Sequence, residues 1–140
     1  MSRLVLDCSI AAAWFFEDET SPLAEHVLGS LVTHEAVVPS LWALELANVL
    51  VLAERSERVT TAKTEQFLAR LAELPIALDH RGAEQGFTSV LALARLYGLT
   101  AYDAAYLELA LREGLPLATL DRPLGEAASK AGVALVSAAA

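Results

Sequence analysis

The sequence predicts an α/β domain in which helical layers cover a central, mostly parallel sheet of four to five short strands. Its strand-like segments are short and apolar, and helix-like segments separate them, which is the alternation typical of parallel sheets. The chain is rich in alanine and leucine, and 55% of its 140 residues are hydrophobic, as expected for helices packed on a buried sheet. This length predicts a single domain over residues 1–140.

Three elements are predicted before residue 32. The apolar run "RLVLD" (3–7) is typical of a short buried strand. A helix is expected to follow in "SIAAAWFFED", with Ser9 as its N-cap. The next helix lies in "SPLAEHVLGSL", where Ser21 caps the N-terminus and Pro22 occupies the first helical position.

The middle of the chain repeats this alternation. The second strand, "EAVVPS", ends at a proline and a serine, which punctuate regular structure. Helices at Leu41–Arg55 and Thr60–Leu74 separate it from a third strand at Ile76–Asp79. The second of these helices is expected to be capped by Thr60 or Thr61.

The last third contains two more helices, Gly82–Tyr97 and Ala101–Glu113, separated by "GLT". Gly98 ends the first of them, and Thr100 caps the second. The apolar stretch "LPLATLD" is the predicted fourth strand, and "VALVS" is a candidate fifth strand.

The composition excludes several classes of protein. Apolar runs such as Leu46–Ala53 stop well short of the roughly 20 residues that a membrane span needs. The start "MSRLVLDCS" has no signal region, and one cysteine cannot form an internal disulfide. We therefore expect a cytoplasmic protein that does not insert into a membrane.

The net charge of −8 argues against nucleic acid as a ligand, because phosphate binding depends mainly on basic residues. That argument does not hold if several acids bind a divalent cation, since the ion then supplies the positive charge.

Four carboxylates have unusual positions. Asp7 ends the first predicted strand and Asp121 ends the fourth, so both are expected at the carboxyl edge of the sheet, where open α/β sheets bind ligands. Glu45 lies in "LWALELANVL" and Asp103 in "TAYDAAYLELA". Both have apolar neighbours, which is not typical of a charge that faces solvent.

Three polar side chains accompany the acids. Asn48 follows Glu45 by three residues on a helix, so the two side chains share a face. Thr119 precedes Asp121 by two residues and projects from the same face of its strand. Ser9 follows the first acid by two residues and is close enough in sequence to reach it.

Taken singly, each acid also has a structural explanation. Asp7 and Asp121 can cap the helices that follow them, Asp103 suits the positive end of a helix dipole, and Glu45 can pair with a buried arginine. Four converging carboxylates, however, repel one another and raise one another's pKa values. Arg122 is the one basic residue beside them in sequence, so a hard cation such as Mg²⁺ or Mn²⁺ explains the set better.

The segments "LVLDCSI", "ELANVL", "LTAYDAAYLELA" and "LATLDRPL", in this order, resemble PIN-domain ribonucleases. Within that family they resemble the VapC toxins of bacterial and archaeal toxin–antitoxin pairs. The resemblance implies a three-layer α/β/α fold and an acidic pocket that binds Mg²⁺ or Mn²⁺ and hydrolyses RNA phosphodiesters. The catalytic and metal-binding residues that it implies are Asp7, Glu45, Asp103 and Asp121, supported by Ser9, Asn48 and Thr119. The resemblance further implies a homodimer and an antitoxin partner whose C-terminal segment covers the active site.

The residues favour hydrolysis by metal-activated water over a covalent route, because no histidine lies in the acidic motifs to activate a serine or a cysteine. Two alternatives stay open. One is a non-catalytic PIN-like interaction module whose acids are structural. The other is an aspartate-based phosphohydrolase, which would need a second acid two residues after Asp7, where Ser9 stands.

Overall fold

The computed structural model describes residues 2–19 and 21–138, and it confirms the α/β prediction. Four parallel strands form one sheet in the order β3-β2-β1-β4. The strands are β1 (Ser2–Leu6), β2 (His34–Pro39), β3 (Ile76–Asp79) and β4 (Leu117–Ala118). Because all four run in one direction, their carboxyl ends lie along a single edge of the sheet.

Seven α-helices in the described residues flank this sheet, which gives the three-layer α/β/α arrangement. They are α1 (Cys8–Phe15), α2 (Pro22–Ser30), α3 (Leu41–Arg55), α4 (Thr61–Leu71), α5 (Leu91–Tyr97), α6 (Ala101–Glu113) and α7 (Arg122–Lys130). Helix α6 packs on β1 and β2, and its residues 104 and 106–110 are buried. None of the described helices is both long and apolar enough to cross a membrane.

Three predicted helix caps are confirmed. The hydroxyl groups of Ser21, Thr60 and Thr100 each accept a hydrogen bond from the backbone N–H three residues later, at 3.2, 3.1 and 3.1 Å. Gly98 ends α5 with a φ of 65°, a left-handed conformation that glycine adopts without strain. Helices α3 and α6 have the predicted bounds because their apolar periodicity and their end signals agree.

The prediction that Ser9 caps the first helix is wrong. Helix α1 begins one residue earlier, at Cys8, and Asp7 occupies the cap position without a side-chain capping bond. The hydroxyl of Ser9 is instead directed toward the Asp7 carboxylate, at 2.7 Å. The polar residue that looks like a cap in the sequence therefore binds a neighbouring acid.

The predicted helix at 82–97 is regular only in its last part. A 3₁₀ turn (Gly82–Gln85) and a π-helical turn (Gly86–Val90) precede α5. Asp79 explains the irregular start, because its Oδ2 accepts a hydrogen bond of 2.9 Å from the Gly82 N–H. A Cβ on Gly82 would lie 2.9 Å from the same oxygen, so this approach requires glycine.

The end of the sheet is shorter than predicted. Strand β4 has two residues, and the candidate fifth strand is reduced to one bridge between Leu135 and Leu117. Pro116 has no N–H to extend the ladder backwards, and the Asp121 N–H binds the Thr119 hydroxyl at 2.9 Å instead of a strand.

A set of ion pairs, here called the Arg112 cluster, fixes α6 to the end of β3. Arg112 donates to both oxygens of Asp79, at 2.7 and 3.2 Å, and to Glu108, at 2.9 Å. The side chains of Asp79 and Glu108 are only 9% and 5% exposed. Helix α6, which also carries Asp103, is thereby held at a fixed position on the sheet.

Candidate active site

The register of the sheet places Asp7 beside Thr119. Leu6 pairs with Ala118, so the next residue of each strand leaves the carboxyl edge next to the other. The Thr119 hydroxyl donates to Oδ2 of Asp7 at 2.6 Å, and the Ser9 hydroxyl donates to the same oxygen at 2.7 Å. Asp7 is 5% exposed, so two hydroxyl groups hold a nearly buried carboxylate in one orientation.

The same two hydroxyl groups shape the loop that carries Asp121. The Ser9 oxygen accepts from the Leu120 N–H at 2.9 Å, and the Thr119 oxygen accepts from the Asp121 N–H at 2.9 Å. Asp121 is half-buried, and its Oδ1 accepts from the Leu124 N–H at 3.1 Å, which caps α7. The capping role that the sequence indicates for Asp121 is therefore present.

Glu45 and Asp103 are half-buried and belong to two different helices, α3 and α6. The hydroxyl of Tyr106, a fully buried residue of α6, donates to Oε1 of Glu45. Burial raises the pKa of the Tyr106 phenol, as does its bond to Glu45, so the phenol remains a hydrogen-bond donor.

The four acids Asp7, Glu45, Asp103 and Asp121, here called the acidic site, interact electrostatically. Burial, together with the charges of Asp121 and Asp7, raises the pKa of Asp103 to about 6. Burial also raises the pKa of Glu45, against the Tyr106 hydrogen bond, with contributions from Asp7 and Asp103.

Asp7 shows the same balance. Burial raises the pKa of its carboxyl group, and the charge of Asp121 acts in the same direction, while hydrogen bonds from Thr119 and Ser9 oppose both. Cys8, the first residue of α1, is a buried thiol whose pKa is raised to about 12 by burial and then by Glu45 and Asp7. The thiolate is disfavoured, so Cys8 is a poor nucleophile, as the sequence indicates.

No basic side chain neutralises these acids. Among residues 2–19 and 21–138, none of the four forms an ion pair with lysine or arginine. Arg122, their neighbour in sequence, pairs with Glu126 at 3.0 Å and is 88% exposed. Oxygen ligands without a basic partner suit a hard divalent cation.

The spacing of the acids adds one condition. Within the described part of the chain, no three histidine, cysteine, aspartate or glutamate side chains are close enough together to ligate one ion as they stand. Uncompensated carboxylates repel one another, so a cation would have to draw them inward. The donor chemistry thus fits a divalent cation, and the present side-chain positions are those of a more open site.

The supporting residues divide into two groups. Ser9 and Thr119 both contact Asp7, whereas Asn48 is exposed and makes no side-chain hydrogen bond within the described residues. Tyr106 contacts the acidic site but is not among the residues that the sequence singled out. Its position three residues after Asp103 in "DAAY" is the signal that would have found it, since such residues share a helix face.

Comparison with known proteins gives consistent matches. The sequence profile of the PIN domain family matches residues 4–130. Ribonuclease VapC3 of Pyrobaculum aerophilum is 35% identical over 124 residues, which cover 89% of this chain and 93% of that protein. The crystal structure of PAE2754 from Pyrobaculum aerophilum has a TM-score of 0.67 and 25% identity, and the match covers 90% of this chain and 84% of that one.

The crystal structure of FitAcB from Neisseria gonorrhoeae is similar in fold, with a TM-score of 0.65 and 18% identity. The match covers 96% of this chain and 97% of that one, so the fold is shared from end to end.

Proposed function

The chain belongs to the PIN domain family, and we propose that it is a metal-dependent endoribonuclease and the toxin of a VapBC-type toxin–antitoxin pair. Its substrate would be RNA, and its reaction the hydrolysis of phosphodiester bonds. Ribonuclease VapC3, which matches 89% of this chain, is a ribonuclease by name, and this likeness supports the proposed activity. The cell compartment proposed for it is the cytoplasm.

One observation carries the proposal, namely the acidic site itself. A carboxylate as buried as Asp7 normally has a basic partner, and Asp79 with its partner Arg112 is an example in the same molecule. In the acidic site, burial and then the charges of neighbouring acids instead raise the pKa values of Asp7, Glu45 and Asp103. Strained electrostatics of this kind are typical of functional sites.

Asp7, Glu45, Asp103 and Asp121 would hold Mg²⁺ or Mn²⁺. When bound, such a cation supplies the positive charge that a phosphodiester needs and lowers the pKa of water at the site. Without it, the four acids would repel the phosphate, so RNA binding at this site depends on the cation.

The residues of the chain have separate tasks in this reaction. Ser9 and Thr119 donate to one oxygen of Asp7 and so orient its carboxylate toward the site. Their oxygens also accept hydrogen bonds from the backbone N–H groups of Leu120 and Asp121, which keeps Asp121 at the carboxyl edge of the sheet. Asp7 and the loop of Asp121 are therefore oriented before substrate arrives, and such preorganisation favours electrostatic catalysis.

The test is cleavage of a generic single-stranded RNA in the presence of Mn²⁺. We expect the wild type to cleave and Asp7→Asn to lose the activity, because asparagine lacks the charge that a hard cation requires. Glu65→Gln is the matched control, since Glu65 is an exposed acid of α4 far from the site in sequence.

Two outcomes would contradict the proposal. A wild type that does not cleave RNA with Mg²⁺ or Mn²⁺ would favour the non-catalytic interaction module. Cleavage by Asp7→Asn at the rate of Glu65→Gln would place the reaction outside the acidic site.

The proposal includes two protein partners, a cognate antitoxin and a second copy of the chain. Leu44 and Leu52 are 76% and 51% exposed and lie two helical turns apart on α3, the helix that carries Glu45. Exposed apolar side chains beside a site are typical of an interface. Co-purification with the product of the adjacent upstream gene would test the antitoxin, and sedimentation velocity would test the homodimer.

A further inference from the structure

We propose that Tyr106 is a positioning residue, whose hydroxyl group holds the Glu45 carboxylate in the orientation that binds the divalent cation. This inference rests on the proposed function, because it assumes that Glu45 is a metal ligand. It adds a residue outside the four acids and their two hydroxyl partners.

The contact joins two helices that carry different parts of the site. Glu45 is on α3 and Tyr106 is on α6, and the hydroxyl of Tyr106 donates to Oε1 of Glu45. Tyr106 has no exposed surface, and its flanking residues Ala104 and Leu107 are also fully buried. The phenol ring is therefore locked by packing and can fix whatever its hydroxyl binds.

Helix α6 makes this contact relevant to the whole site. Tyr106 follows Asp103 by three residues, so their side chains lie on one face of α6, a single turn apart. A single rigid helix therefore carries one acid of the site and the group that orients another. The Arg112 cluster fixes the far end of the same helix to β3.

The chemistry of the carboxylate explains why one donor is useful. Glu45 has a flexible side chain and two oxygens, and free rotation would leave either oxygen toward the site. A hydrogen bond from Tyr106 to Oε1 leaves Oε2 for the cation and removes the rotational freedom that binding would otherwise cost. Removal of a residue that hydrogen-bonds to a metal ligand typically weakens metal binding by about 10–100-fold.

The bland explanation is that Tyr106 is only a large core residue, and its ring does fill the core. The two explanations differ in the part of the side chain that matters. Tyr106→Phe keeps the ring and removes only the hydroxyl, so it separates packing from positioning. Tyr102→Phe is the matched control, because Tyr102 is on the same helix but is 66% exposed.

The experiment measures Mn²⁺ affinity by calorimetry for the wild type, Tyr106→Phe, Glu45→Gln and the double variant. We expect Tyr106→Phe to weaken Mn²⁺ binding by about 10-fold or more, and Tyr102→Phe to leave it unchanged. In the double variant, loss of the hydroxyl should add nothing to the effect of Glu45→Gln, because the group that it positions is already altered. Cleavage by Tyr106→Phe should recover as Mn²⁺ is raised, which a general packing defect would not do.

A second measurement needs no change at Tyr106, should that variant fold poorly. The chain has three tyrosines, so labelled tyrosine ring signals can be assigned in nuclear magnetic resonance spectra with Tyr97→Phe and Tyr102→Phe. Addition of Mg²⁺ should shift the Tyr106 signal in the wild type, because the charge on its acceptor is shared with the cation.

Three results would overturn the inference. The first is a Mn²⁺ affinity of Tyr106→Phe equal to that of the wild type. The second is a loss of Mn²⁺ affinity on Tyr106→Phe that is as large in the Glu45→Gln background as in the wild type. The third is a Tyr106 resonance that does not shift when Mg²⁺ is added. In each case a wild type that still cleaves RNA with Mn²⁺ leaves the proposed function intact. If the wild type binds neither Mn²⁺ nor Mg²⁺, the proposed function and the role of Tyr106 fail together.

Discussion

Helix α6 contributes to two groups of carboxylates, the acidic site and the Arg112 cluster, in which the pKa values shift in opposite directions. In the Arg112 cluster, burial would raise the pKa of Asp79, but hydrogen bonds from Arg112 and its charge outweigh that effect and lower it. In the acidic site, burial and the charges of neighbouring acids together raise the pKa of Asp103 to about 6. Asp79 ends β3, and Asp7 directly follows β1, so a place at the carboxyl end of a strand does not distinguish the two groups.

The difference shows which property marks a candidate site. The side chains of Asp79 and Glu108 are 9% and 5% exposed and Asp7 is 5% exposed, so burial does not distinguish the two groups. What separates the two groups is the presence of an arginine. The carboxylates with a basic partner hold α6 on the sheet, whereas those without one within the described residues form the proposed cation site.

Removal of the arginine should abolish this difference and have the largest effect. Arg112→Met leaves Asp79 and Glu108 buried without a counter-charge, and we expect a loss of about 3–5 kcal/mol in the free energy of unfolding. Urea denaturation measures it. Arg122→Met is the control, because its pair with Glu126 is exposed and should contribute at most about 1 kcal/mol. Equal stabilities for the two variants would show that the Arg112 cluster is not a structural clamp.

Asp121→Asn should separate the two roles of one residue. Asparagine caps a helix about as well as aspartate, so unfolding free energy should stay within about 1 kcal/mol of the wild type. RNA cleavage with Mn²⁺ should fall by about 10-fold or more, because the charge that the cation requires is lost. The measurements are a cleavage assay and a urea melt on the same protein. If the variant cleaves like the wild type, Asp121 is only a cap.

Asp103→Asn should make the acidic site more like the Arg112 cluster, because it removes one repulsive charge from the site. In EDTA the variant should melt roughly a few degrees above the wild type, since about 1 kcal/mol corresponds to several degrees in a domain of this size. Added Mn²⁺ should stabilise the wild type by mass action and the variant much less. An equal response to Mn²⁺ in both proteins would remove Asp103 from the metal site.

The stability difference between Asp103→Asn and the wild type should depend on pH. The pKa of Asp103 is about 6 in the folded protein and 3.8 as its ordinary value, so the folded state holds the proton more tightly. Its contribution to stability is therefore full below the ordinary value and is lost as pH rises toward 6. In EDTA, the advantage of Asp103→Asn should be absent near pH 3.8 and reach its full size above pH 6. The measurement is a series of melting curves of both proteins across this pH range. A difference in melting temperature that does not change with pH would contradict a raised pKa for Asp103.

Thr119→Val should have the smallest effect. The change removes one of two donors to Asp7 and the acceptor of the Asp121 N–H, but no charge. A hydrogen bond contributes about 1 kcal/mol, so we expect a loss of cleavage rate of roughly 3- to 10-fold, less than for Asp121→Asn. Thr33→Val is the control, since Thr33 is an exposed residue of the loop before β2. A loss as large as that of Asp121→Asn would assign Thr119 a direct role in the reaction.

The parts of this molecule that the sequence predicts are those with local signals. The bounds of α3 and α6 follow from apolar periodicity and from caps such as Thr100. The placement of Asp7 and Asp121 at one edge of the sheet follows from two predicted strands that each end in an aspartate. Each of these inferences needs only a few neighbouring residues.

The parts that could not be predicted depend on pairs distant in sequence. Tyr106 and Glu45 are 61 residues apart, and Arg112 and Asp79 are 33 apart. Ser9 looked like a helix cap, but its hydroxyl also accepts a hydrogen bond from the Leu120 N–H, which is 111 residues away in sequence. The irregular turns at 82–90 likewise depend on where Asp79 directs its oxygens. No periodicity in the chain records such pairings.

The hydrogen bond between Thr119 and Asp7 spans 112 residues, nearly the whole chain, and this has a consequence during synthesis. A nascent polypeptide already contains Asp7 and Ser9 at its start but lacks the second hydroxyl group that orients Asp7 until the residue after β4 is made. At ribosomal speeds of about 5–20 residues per second, the interval is roughly 6 to 22 seconds. Asp121, one of the four acids of the proposed site, is also absent throughout that interval. If the protein cleaves RNA, the polypeptide on its own ribosome is therefore inactive until then, and the antitoxin is needed only afterwards.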